Sequence, residues 1–440
     1  GAVSPASLLL FTFLIGCGTA AFAPAWQASI GEFVPREQVP AAIMANAFGF
    51  NIARSVGPAI GGVVVAAFGA AAAFLINTIS YMLGTLLWWR PRREMSALPR
   101  EPLGAAVAAG IRYVWLSPHL IAILLRCLLF TVPLSAVPAL MAVVARDLLA
   151  GGAQTYGLLL GGFGVGAMMG ALSSAALRAR FSSDAMLRGL CAVASVAMLA
   201  IAWSRWAPLT LLALLAAGFV WTLGLATFNI SVQMSSPRWV TGRTLAMYQT
   251  VAFAGMAAGA WGFGHLATAL GVRPALAIAG IAALGSLMVA RWLPVSVARL
   301  GSLDPHIVTD IQPPAVELDE STGPVMVTLE YRVPPANAAA FAAEINGLGR
   351  IRRRDGARAW SVGQDIDDPL LWVERFESPT WADYLRRHTR PTLADQAVRQ
   401  RISQLIEGER AQVRRFVGRP AGAEPLGDRA SRPEPVDHTP

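Results

Sequence analysis

The sequence predicts an all-α polytopic membrane protein that continues into a C-terminal α+β domain. Of its 440 residues, 55% are hydrophobic and 14% are charged, and the mean hydropathy is +0.49. Soluble domains carry about 25% charged residues. Only six of the 27 acidic residues lie between positions 8 and 293, whereas the chain beyond Asp304 is charged like an ordinary soluble domain. The charge pattern therefore divides the chain into a membrane body and a soluble tail.

Apolar runs in the membrane body have the length of membrane-crossing helices. About 20 apolar residues cross the hydrocarbon core, and they do so as a helix because lipid cannot satisfy an unpaired backbone group. Nine runs have this length, at residues 8–30, 46–68, 70–89, 119–144, 156–177, 186–203, 208–232, 245–270 and 274–293.

The arginines beside these runs predict the orientation. When successive loops are assigned to opposite sides, twelve arginines fall on one side and only Arg146, Arg205 and Arg273 on the other. Positive residues accumulate on the cytoplasmic side of membrane proteins. We therefore expect the C-terminus to lie in the cytoplasm. All basic residues are arginine and none is lysine, which is typical of a GC-rich bacterial genome, so the expected location is the bacterial inner membrane.

Charge and cysteine usage argue against other classes of protein. The sequence pI is about 10.4, a value that is also typical of nucleic-acid-binding proteins. Here the arginines flank apolar runs, so we expect no nucleic-acid partner. Cys17, Cys127 and Cys191 all lie in apolar runs, which predicts neither disulfides nor a metal site, and no motif indicates a cofactor.

An internal repeat relates the two ends of the membrane body. With a shift of 202 positions, the stretch "APAWQASIGEFVPREQVPAAI" aligns without a gap with "LATFNISVQMSSPRWVTGRTL". The aligned pairs are Gln27 with Asn229, Pro35 with Pro237, Arg36 with Arg238, Gly57 with Gly259 and Gly62 with Gly264. Parallel repeats of this kind build secondary transporters from two six-helix halves.

The repeat and the stretch "PAWQASIGEFVPREQVPAAIMANAFGFNIARSVGPAIGG" resemble the major facilitator superfamily. Within it, they resemble the bacterial transmembrane secretion effectors, a branch close to the enterobactin exporters. The resemblance implies twelve helices, so we expect about three spans, on the order of 90 residues, to be missing before Gly1. The predicted parts are the last three helices of an N-terminal half (1–90), a central cytoplasmic loop (91–118), a six-helix C-terminal half (119–293), a linker (294–324), a cytoplasmic domain (325–417) and a disordered end (418–440).

Small residues spaced four apart predict close packing of helices. The residues of this pattern and its repeat copy are Gly57, Pro58, Gly61, Gly62 and Gly259. We interpret them as a seam on which the two halves move, with static packing as the alternative. Arg54 lies inside a span just before the seam, and is a candidate for a cytoplasmic gate or ion pair. Snorkelling to the interface is the alternative for this arginine.

Polar side chains within the spans are candidates for transport chemistry, because such groups usually face a cavity or a partner. The candidates for the substrate cavity are Trp26, Gln27, Asn229, Gln233 and Gln249. Gln27 and Asn229 are favoured, since the repeat places them at equivalent depths. Arg126 and His265 are candidates for ion coupling, with snorkelling and packing as alternatives. The spans contain no acid, so a proton-carrying carboxylate is expected in the missing helices.

The tail has the pattern β-α-β-β-α-β, which predicts a ferredoxin-like unit. Its second helix is predicted as one segment, "TWADYLRRHTRPTLADQAVRQRI". The tail resembles the dimeric α+β barrel family that includes antibiotic-biosynthesis monooxygenases. His388 and Trp360 are candidates to line a small cavity in such a domain. We nevertheless expect core or surface roles for both residues, no catalytic residue, and self-association or regulation by this domain.

The predicted function is secondary active export of a small amphipathic molecule, such as a siderophore, a drug or a secondary metabolite. Transport is expected to proceed by alternating access and to be coupled to protons. The alternative is a membrane-anchored enzyme or sensor whose activity lies in the tail. The expected partners are the substrate, protons, the lipid bilayer and a second copy of the tail.

Overall fold

The computed structural model describes the backbone of residues 34–88, residues 101–295, 313–408 and 411–419, and shorter helical stretches between residues 10 and 30. Within these residues, five helices are long and apolar enough to cross a membrane. They are Pro118–Leu148, Gln154–Arg180, Ser183–Trp203, Ala207–Met234 and Val272–Val289. These correspond to five of the nine predicted spans. The run predicted at 8–30 lies partly outside the described residues.

Helix α1 (Val39–Trp88) contains the predicted runs 46–68 and 70–89 and is interrupted between them. Gly69 has φ 80° and ψ 165°, a conformation that glycine adopts without steric cost. The interruption therefore falls at the residue that the hydropathy pattern left between the two runs.

Eight further helices are described between α1 and the tail. They are α2 (Leu103–Trp115), α3 (Pro118–Leu134), α4 (Ala136–Val143), α5 (Ala153–Arg180), α6 (Ser183–Trp203), α7 (Ala207–Met234), α8 (Thr241–Leu270) and α9 (Val272–Val289). Helix α5 packs along α7, α6 along α9, and α3 along α8. Helix α8 has 30 residues, ample for a crossing, but its glycines and polar residues make it less apolar than the five helices above.

Glycines allow the backbones of α5 and α7 to approach each other closely. A Cβ atom on Gly166 would overlap the backbone of Leu215, and one on Gly170 would overlap the backbone of Phe219. On the facing helix, a Cβ on Gly218 would overlap the backbone of Phe163. Small residues on both helices thus let the two backbones approach closely.

The tail folds as a four-stranded antiparallel sheet with helices between the strands. The elements are β1 (Val325–Arg332), α10 (Ala338–Arg354), β2 (Arg358–Gln364), β3 (Leu371–Ser378), α11 (Trp381–Thr389), α12 (Leu393–Ser403) and β4 (Gln412–Val417). The strand order is β2-β3-β1-β4, with Val325 opposite both Ser378 and Val417.

The prediction of one continuous second helix in the tail is wrong. The helix is interrupted between α11 and α12 at Pro391, because proline has no N–H to donate a helical hydrogen bond. Thr392 then starts a new helix through a capping box in which its side chain and that of Asp395 bond each other's backbone N–H. The signal for this boundary, a Pro followed by Thr and an acid three residues later, is present in the sequence.

The chain forms two compact units. One contains the described helices of the membrane body. The other contains the tail together with helix α2 and the four residues Pro237–Val240 that connect α7 to α8. The tail unit therefore includes two pieces of chain that the hydropathy pattern assigns to cytoplasmic loops.

Candidate functional site

A chain of three amide side chains joins the two copies of the sequence repeat. The Nδ2 of Asn229 on α7 donates a hydrogen bond to Oε1 of Gln27. The Nε2 of Gln233 donates to Oδ1 of Asn229 at 2.9 Å. Asn229 and Gln233 are four residues apart, so they lie on one face of α7. The two residues that the repeat pairs at a shift of 202 are thus in direct contact.

The amide chain is buried and not fully satisfied. Asn229 is 7% exposed and Gln233 is 6% exposed. Among the described residues, Oε1 of Gln233 has no hydrogen-bond partner. A buried acceptor without a partner costs about 1–3 kcal/mol. The chain is therefore a polar contact of limited stability.

An apolar cluster includes Ile230 and Met234, the residues that follow Asn229 and Gln233. We call the amide chain and this cluster together the gate. Its buried members are Ile30, Val39, Ile43, Met44, Ala171, Ala226, Ile230 and Met234. The first four come from the first repeat copy and its following helix, and the others from α5 and α7. Trp26 packs against this cluster and donates its Nε1 hydrogen to Oδ1 of Asn46 at 3.1 Å.

The gate lies close to one end of α7. Asn229 is five residues before the last residue of that helix, Met234, which is about 8 Å at 1.5 Å per residue. Three of the residues predicted for a substrate cavity, Gln27, Asn229 and Gln233, are thus part of a packed contact in this conformation. Gln249 is buried separately on α8.

The predicted glycine seam is only partly within the described residues. Gly57, Pro58, Gly61, Gly62 and Arg54 lie in α1, but their surroundings are outside the described part of the structure. A Cβ on Gly259 would overlap the backbone of Val132 on α3. Both helices belong to residues 119–293, so this contact of Gly259 lies within the predicted second half.

Arg126 is held by an ion pair that the sequence analysis did not anticipate. Its side chain is 1% exposed, and its Nη1 lies 2.8 Å from Oδ1 of Asp184 in the first turn of α6. The same nitrogen donates to the backbone oxygen of Leu293 at 3.2 Å. The ion pair is a buried contact rather than snorkelling. Asp184 is one of the six acids in the membrane body, and this scarcity was the available signal.

His265, the other candidate for coupling, is exposed on α8. Its Nδ1 lies 3.0 Å from the backbone oxygen of Trp261, and the two rings are 4.5 Å apart. Both contacts are within one helix. Within the described residues, the structure does not bring His265 together with the gate or with Arg126.

The tail unit has a buried polar centre around Glu374. This carboxylate is fully buried and accepts hydrogen bonds from Tyr331, Trp360 and Arg352. Burial raises its pKa, but the charge of Arg352 and the hydrogen bonds outweigh burial and leave the pKa below its ordinary value. Burial also lowers the pKa of His388 to about 4, so this imidazole is neutral at pH 7.

Within the tail unit, side chains of the tail and of α2 also contact the connection between α7 and α8. The Nη2 of Arg390 lies 2.6 Å from Oε1 of Glu101, and the two side chains are 8% and 14% exposed. The guanidinium of Arg390 lies over the ring of Trp239, 4.4 Å from its centroid. Tyr113 of α2 packs edge-on against the same ring at 5.5 Å. We call these four residues the clasp.

A comparison with known families identifies the chain. A family model described as transmembrane secretion effector matches residues 1–421. The chain belongs to the transmembrane secretion effectors of the major facilitator superfamily. It is therefore a multi-pass membrane protein of a transporter family, and the resemblance inferred from the repeat is confirmed.

Individual relatives of this secretion effector are distant. It is 28% identical over 263 residues to Tap, a multidrug efflux pump of Mycolicibacterium fortuitum, covering 58% of this chain and 62% of Tap. It is 24% identical over 275 residues to the MFS-type transporter YfiS of Bacillus subtilis, covering 60% of this chain and 66% of YfiS. The matches thus span less than two thirds of either relative. A crystal structure of the E. coli fucose:proton symporter FucP covers 64% of this chain and 74% of FucP, with 15% identity and a TM-score of 0.48.

Proposed function

We propose that this secretion effector exports a small amphipathic molecule from the bacterial cytoplasm by alternating access, driven by protons. The gate is the observation that carries the proposal. In alternating access, two repeats move against each other around a central site. A contact between equivalent residues of the repeats, near one end of their helices, is what such a transporter forms when that end is closed.

The chemistry of the gate suits a contact that opens in every cycle. The hydrogen bonds are between neutral amides, which contribute only about 0.5–1.5 kcal/mol each, and one acceptor of Gln233 is unpaired. A buried ion pair at the same place would be harder to separate, because each charge would need to be solvated again. The orientation inferred from the arginines places this closed end in the cytoplasm.

Export of drugs is the first case to test, because the relative Tap is a multidrug efflux pump. Deleting the gene is expected to raise the accumulation of fluorescent amphipathic drugs in the cell several-fold, and re-expression should restore the low level. In everted membrane vesicles, an imposed proton gradient should drive drug uptake, and a protonophore should abolish it. Equal accumulation with and without the gene across drugs and siderophores would refute export. Uptake that survives the protonophore would refute proton coupling.

We infer that the tail is a ferredoxin-like regulatory domain. Its strand order and connections support this fold. For the competing hypothesis of an enzyme, the candidates to line a cavity are His388 and Trp360. Trp360 is instead bonded to Glu374 at 2.8 Å, and His388 donates its Nδ1 hydrogen to the backbone oxygen of Tyr384 at 2.9 Å. The clasp favours regulation, because it attaches the tail to the connection that directly follows the gate residues of α7.

Loss of the clasp is expected to raise the basal rate of transport. Arg390→Gln removes one charge of a buried ion pair, a change that costs about 3–5 kcal/mol of local stability, and so frees the connection between α7 and α8. Transport in everted vesicles is the measurement. Arg401→Gln is the matched control, since it breaks the exposed pair with Glu344 in the same domain and should leave transport unchanged. An unchanged or lower rate in Arg390→Gln would contradict a restraining role.

A further inference from the structure

An open groove of about 920 Å³ lies between the first turns of α6 and the end of α9. It is lined by Arg188, Leu287, Met288, Arg291 and Trp292. Its volume is in the range of roughly 300–1,000 Å³ that small-molecule sites occupy. The groove is remote in sequence from the gate and from the tail, and the transport proposal does not use it.

The groove carries uncompensated positive charge. Asp184 is the acid beside it, and both of its carboxylate oxygens are engaged. Oδ1 pairs with Arg126 at 2.8 Å and accepts the backbone N–H of Val295 at 3.1 Å, while Oδ2 pairs with Arg188 at 2.9 Å. Arg291 forms no ion pair among the described residues. Asp184 is thus shared by Arg126 and Arg188, and Arg291 adds a third positive charge, which leaves a net charge of about +2 for these four side chains.

The wall of the groove is apolar and exposed. Met288 is 69% exposed and Trp292 is 70% exposed, and both lie at the end of a helix that is apolar enough to cross a membrane. Tryptophan at such a position typically sits at the level of the lipid headgroups. The groove therefore combines two cationic side chains with an apolar surface along the adjoining helix.

We propose that this groove binds the headgroup of an anionic phospholipid. The guanidinium groups of Arg188 and Arg291 suit a phosphodiester, because arginine presents paired N–H donors to phosphate oxygens. The acyl chain lies along Met288, Leu287 and Trp292. Basic pockets between membrane helices are known to hold anionic headgroups. A free phosphate ion would use the arginines alone and leave the apolar wall without a function.

Phosphatidylglycerol tests the proposal through thermal stability, a measurement that does not depend on transport. The purified protein is expected to melt roughly 3 °C or more higher in micelles containing phosphatidylglycerol than in micelles containing phosphatidylcholine. Arg188→Gln combined with Arg291→Gln should lose most of this difference. Arg291→Lys keeps the charge and should retain most of it, which separates loss of a charged site from damage to the fold.

A matched double variant controls for removal of two charges. Arg205 follows the far end of α6, and Arg273 lies in the first turn of α9, so Arg205→Gln with Arg273→Gln removes the same charge from the same helices at their opposite ends. This variant should keep the full lipid effect. Loss of the effect in both double variants would mean that net charge alone is responsible and would overturn the site. An equal rise in melting temperature with inorganic phosphate would overturn the lipid as ligand.

Discussion

A covalent link across the gate is expected to stop transport. In a background without the native cysteines, Gln27→Cys and Asn229→Cys place two thiols where the amides now form a hydrogen bond. If the gate must open in each cycle, a disulfide or a short thiol cross-linker between these positions holds the protein in one conformation. Drug transport in everted vesicles should fall roughly tenfold or more, and dithiothreitol should restore it.

A matched cross-link that does not cross the gate is expected to leave transport intact. Sγ of Cys191 on α6 and Oγ of Ser286 on α9 are 3.6 Å apart, and both helices belong to the predicted second half. Ser286→Cys with Cys191 retained can therefore form a similar bridge that does not cross the gate. Transport by this variant should survive oxidation. If the bridge between positions 27 and 229 forms but transport continues, these residues are not a gate.

Gly166→Ala is expected to destabilise the membrane body. The new Cβ would overlap the backbone of Leu215, and a backbone cannot rotate away as a long side chain can. The helices α5 and α7 must then separate, which also loosens the gate residues of α7. Overpacking of this kind costs about 1–3 kcal/mol. The melting temperature of the purified protein should fall by several degrees, and transport should fall with it.

Gly161→Ala is the control on the same helix. Among the described residues, a Cβ at Gly161 meets no atom of a neighbouring element within 4 Å. Alanine favours a helix over glycine by about 1 kcal/mol, so this variant should be neutral or slightly more stable. The two substitutions are chemically identical and are expected to act in opposite directions. If both substitutions changed the melting temperature to a similar extent, close contact between α5 and α7 would not be the reason that glycine is needed at position 166.

Much of the membrane body was predictable, because a helix that can cross a membrane needs a long run of apolar residues and such runs are visible directly in the sequence. Five predicted runs correspond to described helices that can cross a membrane, and the break in α1 falls at Gly69, between two predicted runs. The repeat at a shift of 202 positions selected Gln27 and Asn229, which the structure brings into contact. The family inferred from these residues is confirmed by the family model.

The residues that each candidate contacts were harder to predict than the positions of the candidates along the chain. The sequence singled out Arg126 as a charged residue at depth, but its alternatives, coupling or snorkelling, did not include an ion pair with Asp184. Gly259 was predicted to lie on a seam between halves from its repeat copy, and the contact that the structure shows for it is with Val132 of α3, within the predicted second half. The helix boundary at Pro391 had a local signal, but apolar periodicity on both sides of the proline outweighed it in the prediction.

The sequence by itself therefore determined where the long apolar helices lie, where the composition changes to that of an ordinary soluble domain, and which positions of the two repeats are equivalent. These properties depend on composition and spacing, which are read along the chain. Only the tertiary structure decided that Gln27 accepts a hydrogen bond from Asn229, that Arg126 forms an ion pair with Asp184, and that Pro237–Val240 belongs to the tail unit. Such pairs depend on how helices are rotated and packed, and an apolar pattern defines a buried face without specifying what it faces.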